Sequence, residues 1–282
     1  MRKIKKTEWI GFLFILPSLI GVSVFILVPF VDVIRRSFLG AMNEVFMGVA
    51  NYQIVLKNTA FRLAAVNTIQ FMFICIPLLL LFSLLISQFL FRQGNIGNYL
   101  KMAYLVPMAI PVASVVLLWR ILFHNQGFLN GFINKFGMQS IDWMNSKYAF
   151  GVLVFSYLWK NMGYNIVLWM AGLSGISSSI HEAARVDGAT ERKIFFKITL
   201  PNLKTTMYTI TVLSILNSFK VFREAYLVAG DYPHQSMYLL QHIFNNWFRE
   251  MSFDKMSAAA VMVAFVIGIL ILVLQKSWDL QE

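Results

Sequence analysis

The chain has 282 residues, of which 58% are hydrophobic and 13% charged. Soluble domains carry about 25% charged residues, so a water-soluble enzyme or binding module is excluded. The formal charge of +11 has no soluble basic surface on which to be displayed, and nucleic acid is not expected as a partner. A single cysteine, Cys75, in the middle of an apolar run, rules out a disulfide framework and a thiolate metal site.

Apolar runs of about 20 residues, each able to cross roughly 30 Å of hydrocarbon, predict an all-α, polytopic membrane protein. Six transmembrane helices are placed at 9–31, 66–91, 102–123, 148–173, 205–229 and 257–277. The chain 1–282 then forms a single transmembrane domain with its core at 66–277. The first run follows Arg2-Lys3-Ile4-Lys5-Lys6 and extends from Trp9 to Val31. It is too long for a signal peptide and lacks a small-residue cleavage site, so it reads as an uncleaved span. The larger share of basic residues falls on one side, which places the N- and C-termini in the cytoplasm.

Pro77 falls in the second span, and Pro107 and Pro111 fall in the third. Proline removes a helical donor, so these positions predict either kinked packing or a hinge or cavity wall. The external segments hold Asn51-Tyr52, Asp142-Trp143 and Asn245-Asn246-Trp247. They are too short for separate domains but can cap the membrane part and meet an external partner.

In the fourth span, Tyr157, Asn161 and Tyr164 share one helix face by their i, i+4, i+7 spacing. Thr211, Ser214 and Ser218 do the same in the fifth, with Asn217 adjacent. Polar groups in lipid face a bundle interior or a cavity, so these faces serve either helix–helix hydrogen bonding or a solute path. Charges accompany them: Lys160, Lys220, Arg223, Glu224 and, at the end of the third span, Arg120. Lys160 and Arg120 are expected to snorkel to an interface, and Arg223 and Glu224 to pair with charges on a partner subunit.

Between these spans lies a charged loop, 174–204, on the cytoplasmic side. Ser179-Ile180-His181-Glu182 fits a capping box, and Gly188 suits the left-handed residue that ends a short helix. A second amphipathic stretch from Thr190 to Leu200 is expected to stop at Pro201. The residues alone allow both a docking element and an ordinary solvated loop.

Glu182-Ala183-Ala184, then Asp187-Gly188-Ala189, then Ile198, Leu200 and Pro201, resembles the coupling motif of permease subunits of binding-protein-dependent ATP-binding-cassette importers. FLFILPSLIGVSVFILVPF, YLVPMAIPVASVVLLWRILF and LVAGDYP extend the resemblance to the carbohydrate branch, notably the subunit type of the larger maltose-importer membrane protein. Asp231-Tyr232 departs from the Gly-Gly common before the following proline. The resemblance implies the type I importer permease fold, a multi-pass place in the bacterial cell membrane, and a coupling helix at Glu182 to Ala189 that docks on a separate ATPase. It further implies a second homologous permease as heterodimer partner, a cytoplasmic ATPase dimer holding ATP-Mg, an extracytoplasmic solute-binding protein, and an oligosaccharide as cargo.

Under that resemblance Tyr157, Asn161, Tyr164, Asn217 and Ser218 form the substrate path, and the charges beside them place Lys160 and Lys220 on it as well. Lys220, with Lys160, would favour an acidic saccharide. The chain has no G-x-x-x-x-G-K-[ST] phosphate loop, no metal-ligand cluster and no nucleophile elbow, so no catalytic residue, metal or cofactor of its own is expected. The alternatives are a non-sugar solute such as glycerol phosphate, or an ion-coupled secondary carrier. The carrier would need a membrane carboxylate relay, and only Glu224 comes near one.

Overall fold

A computed structural model describes residues 6–41 and 45–279; the basic run Arg2–Lys5 lies outside them. Among the described residues the regular elements are helices, and an isolated bridge joins Leu39 to Phe46. The first apolar run forms α1 (Lys6–Val22), a π-helical turn (Ser23–Leu27) and α2 (Val28–Arg36). After α3 (Ala50–Lys57) comes α4 (Thr59–Arg92), which continues through Pro77. The predicted third span is two helices, α5 (Asn95–Ala109) and α6 (Val112–Phe123), separated where Ile110 and Pro111 are extended. Proline disfavours a helical residue before it. Pro111 therefore breaks the helix, while Pro107 stays inside α5.

There follow α7 (Phe128–Lys135) and the long α8 (Ala149–Ser174). The loop holds α9 (Ser178–Val186), α10 (Glu191–Ile194), a second π turn (Phe195–Thr199) and α11 (Leu200–Asn202). The fifth predicted span is α12 (Lys204–Ser218), a 3₁₀ turn (Phe219–Val221) and α13 (Phe222–Ala229). α14 (Leu240–Arg249) and α15 (Phe253–Asp279) complete the chain. Among the described residues, four stretches are long and apolar enough to cross a membrane: Gly11–Arg36, Thr59–Arg92, Val112–Lys135 and Phe253–Ser277. α8 has the length, 26 residues, but its polar face dilutes its hydrophobicity, and α12 and α13 are interrupted and carry charges.

Each π turn lies just before a proline, Pro29 or Pro201. A proline ring strikes the carbonyl four residues back, here that of Phe25 or Lys197, and both lie inside the widened turns. The helix therefore passes through Pro201 and ends at Asn202, one residue beyond the expected stop.

The chain divides into two units, residues 1–61 with 244–269, and 62–243 with 270–282. In the first, Asn51 Nδ2 donates to the carbonyls of Ser37 (3.0 Å) and Leu39 (2.8 Å), Ser37 Oγ meets Tyr52 Oη at 2.6 Å, and Phe61 stacks on Trp247. In the second, α4, α8 and α13 share a core of Phe71, Cys75, Leu79, Leu153, Tyr157 and Ala225. α5 and α8 are in backbone contact at Gly163, where an added Cβ would lie 1.9 Å from the Tyr104 carbonyl oxygen. Asn67 Nδ2, on α4, donates to the carbonyls of Gln235 and Tyr238, and Thr68 Oγ1 accepts from the Leu240 amide. Beside that tie, the fully buried His242 accepts from the Leu239 amide through Nδ1 and packs against Phe222 and Tyr238.

Gly163→Ala should cost about 1 to 3 kcal/mol through overpacking, read as a lowered thermal midpoint of the purified protein. Gly151→Ala, with nothing within 4 Å, should change little. Burial pushes the His242 imidazole down from its ordinary value of 6.5 to about 4. As pH falls between these values the unfolded chain gains a proton that the folded chain does not, so stability present above about 6.5 is lost toward 4. Chemical denaturation across that range should show the decline, and His242→Gln should flatten it.

Candidate functional site

The polar face of α8 opens on a cavity of about 170 Å³ against α12 and α13. Tyr157, Lys160, Asn161, Tyr164, Asn217 and Lys220 all line it. Ser218 does not: it is buried, and its Oγ donates to the Ile215 carbonyl at 2.6 Å. Thr211 likewise bonds back to Met207. Tyr157 is 2% exposed and its hydroxyl donates to the Ser214 carbonyl at 2.9 Å, which ties α8 to α12. Asn161 Nδ2 donates to the Tyr157 carbonyl at 2.9 Å.

Two lining residues, Arg223 and Glu224, were not expected in the path. Glu224 pairs within this chain, its Oε1 lying 2.5 Å from Lys160 Nζ. The two side chains are 7% and 18% exposed, so Lys160 does not snorkel to an interface. With that pair neutral, the remaining charged side chains on the wall are the exposed Lys220 and Arg223. Lys220 Nζ donates to Asn217 Oδ1 at 2.8 Å. The i, i+3, i+4 spacing of Lys220, Arg223 and Glu224 was a legible clue to their common face; the pairing across 64 residues was not.

The elbow between α8 and α12 is ordered by hydrogen bonds unlike those predicted. Ser177, in extended conformation, occupies the cap of α9 and makes no side-chain cap bond, so the Ser179–Glu182 capping box does not form. Ser179 Oγ instead meets Ser177 Oγ at 2.7 Å. The other end follows expectation: Gly188 has φ +77°, with the Ala189 amide bonded to Ala184 O and the Gly188 amide to Arg185 O. This is a Schellman closure. Thr190 then caps α10 through its hydroxyl.

Glu191 sits between two guanidinium groups. Arg185 Nε lies 2.9 Å from its Oε1, and Arg92 at the end of α4 lies 3.5 Å from its Oε2. The Arg185 hydrogen bond, with the Arg185 and Arg92 charges, holds the Glu191 carboxyl below its ordinary value. His181 Nε2 meets Thr199 Oγ1 at 3.1 Å. Leu200 and Phe195 pack with Leu84, Trp169 and Leu203. Leu200 thus anchors the elbow to the helices, with Ile198 half-buried and Pro201 exposed. Glu182, Ala183, Val186, Asp187 and Gly188 are exposed, Val186 to 88%, while Ala184 and Ala189 are half-buried. Glu182 also borders a cavity of about 260 Å³ between the elbow and α4. Among the described residues no group of histidine, cysteine and carboxylate side chains could hold a metal.

A helical protein with several apolar spans, a polar cavity and a charged elbow belongs to the class of membrane transport components. Residues 64–279 match the family described as binding-protein-dependent transport system inner membrane component, and the chain belongs to it. It is 32% identical over 227 residues to the arabinooligosaccharides transport system permease protein AraP of Bacillus subtilis, covering 77% of this chain and 71% of that protein. The trehalose/maltose transport system permease protein MalF of Thermococcus litoralis is 28% identical over 230 residues, with 79% and 78% covered. A bacterial importer of the acidic polysaccharide alginate includes a chain that superposes with a TM-score of 0.82 at 18% identity, covering 97% and 96%. The chain is therefore a sugar-type ATP-binding-cassette importer permease by family.

Proposed function

We propose that the chain is one of two permeases of an oligosaccharide importer, with the α8–α12–α13 cavity on its translocation path. The observation that carries this is the cavity wall: tyrosine and asparagine side chains beside a neutralised ion pair. Sugar C–H faces stack on aromatic rings while their hydroxyls take directional hydrogen bonds, and such a wall offers both. In this reading α8, α5–α6 and α12–α13 complete six spans with both termini cytoplasmic. A second permease closes the exposed side of the cavity, and a solute-binding protein delivers the sugar from outside.

Energy enters at the elbow. The exposed Ala183–Val186–Asp187 face is small enough for close approach by a cytoplasmic ATPase dimer, which holds ATP-Mg. Leu200 and Phe195 pass its displacement to α4 and α8, and closure switches the path from inward to outward access.

Gly188→Pro, which cannot adopt φ +77°, and Glu182→Lys should both abolish substrate-stimulated ATPase in the reconstituted complex while the protein still inserts. Normal coupling in both variants refutes the docking role. The acidic-saccharide preference now rests on Lys220 and Arg223, since Lys160 is neutralised. Lys220→Ala should lower transport of a uronate trisaccharide relative to a neutral one by about tenfold, the scale of one charged hydrogen bond; an unchanged ratio sinks that preference.

A further inference from the structure

The Lys160–Glu224 pair leaves one of its acceptors unused. Glu224 is 6% exposed, its Oε1 is held by Lys160 at 2.5 Å, and no protein donor reaches its Oε2. A carboxylate oxygen taken out of water without a donor is costly, and while Ser214 Oγ and Asn165 Oδ1 are also buried without a protein partner, Glu224 Oε2 is the one such atom, among the described residues, whose side chain lines this cavity. Glu224 lines the cavity together with Lys160, Asn161, Tyr164 and Asn217. The missing donor is therefore supplied by water in the cavity or by a solute that displaces it.

The charge on the wall narrows what that visitor is. Lys160, Lys220 and Arg223 outnumber the single Glu224 carboxylate, so a cationic donor is repelled, and a neutral O–H group is the remaining donor chemistry. We propose that Glu224 is a specificity-determining residue of the translocation path, accepting a hydrogen bond from a saccharide hydroxyl through Oε2 while Lys160 holds Oε1. The proposal rests on the cavity being the sugar path. It differs from a helix clamp, in which the ion pair would serve only to join α8 to α13.

The test uses the complete reconstituted importer with its solute-binding protein. Arabinotriose, maltotriose and a mannuronate trimer serve as probes, and those that the wild type transports are carried forward. Glu224→Gln should raise the half-saturating probe concentration about tenfold, the scale of one hydrogen bond to a charged group. Lys160→Met/Glu224→Leu replaces the pair by apolar side chains of similar size, a change that is often neutral or stabilising. It should keep the wild-type thermal midpoint yet still show the raised half-saturation. Wild-type half-saturation in the double variant means the pair is a clamp and overturns the proposal, as does an unchanged Glu224→Gln. Tyr164→Ala and Asn217→Ala separate the two levels. If they impair transport while both Glu224 variants do not, only the role of Glu224 falls; if none of the four does, the path itself is misplaced.

Discussion

Each polar side chain taken out of water needs an answer from the protein. α8 is the element on which this demand falls most heavily. Its Ser156 accepts from Trp119 on α6, Tyr157 donates to Ser214 on α12, Lys160 pairs with Glu224 on α13, and Trp169 donates to Ser83 on α4. Asn161 and Asn165 close onto the carbonyls of the preceding turn of α8 itself. One helix thus fixes the positions of four others, and the cavity is what remains where the answering is incomplete.

The elbow obeys different physics because its ion pairs lie in the open. The side chains of Arg185, Glu191 and Arg92 are all more than half exposed, where a pair is worth about 0 to 1 kcal/mol. They orient α9 more than they hold it. The hold comes from Leu200, Phe195, Trp169 and Leu203, which are shielded from water. An apolar root thus lies beneath a tip that carries the exposed Ala183 and Val186.

Much of this was legible in the residues. Long apolar runs announced the helices, i, i+4, i+7 spacing put Tyr157, Asn161 and Tyr164 on one face, and a single glycine marked the end of α9. What could not be read depended on contacts between distant segments or on backbone adjustment. The Ser179–Glu182 pattern is a valid capping box that loses to Ser177, one turn geometry among several the serine-rich run permits. The stop near Pro201 was legible, but the π turn that absorbs the proline's clash is invisible to periodicity. Lys160 and Glu224 each looked unmatched because their partner lay 64 residues away.

Gly163 has a mechanical corollary. Where α5 and α8 meet, main chain rests on main chain, with no rotamer between them to yield. Such a joint has little slack, since a side chain added at residue 163 would press directly on the α5 backbone. α6, tied back to α8 through Trp119 and Ser156, takes its change of direction from the extended link at Ile110 and Pro111.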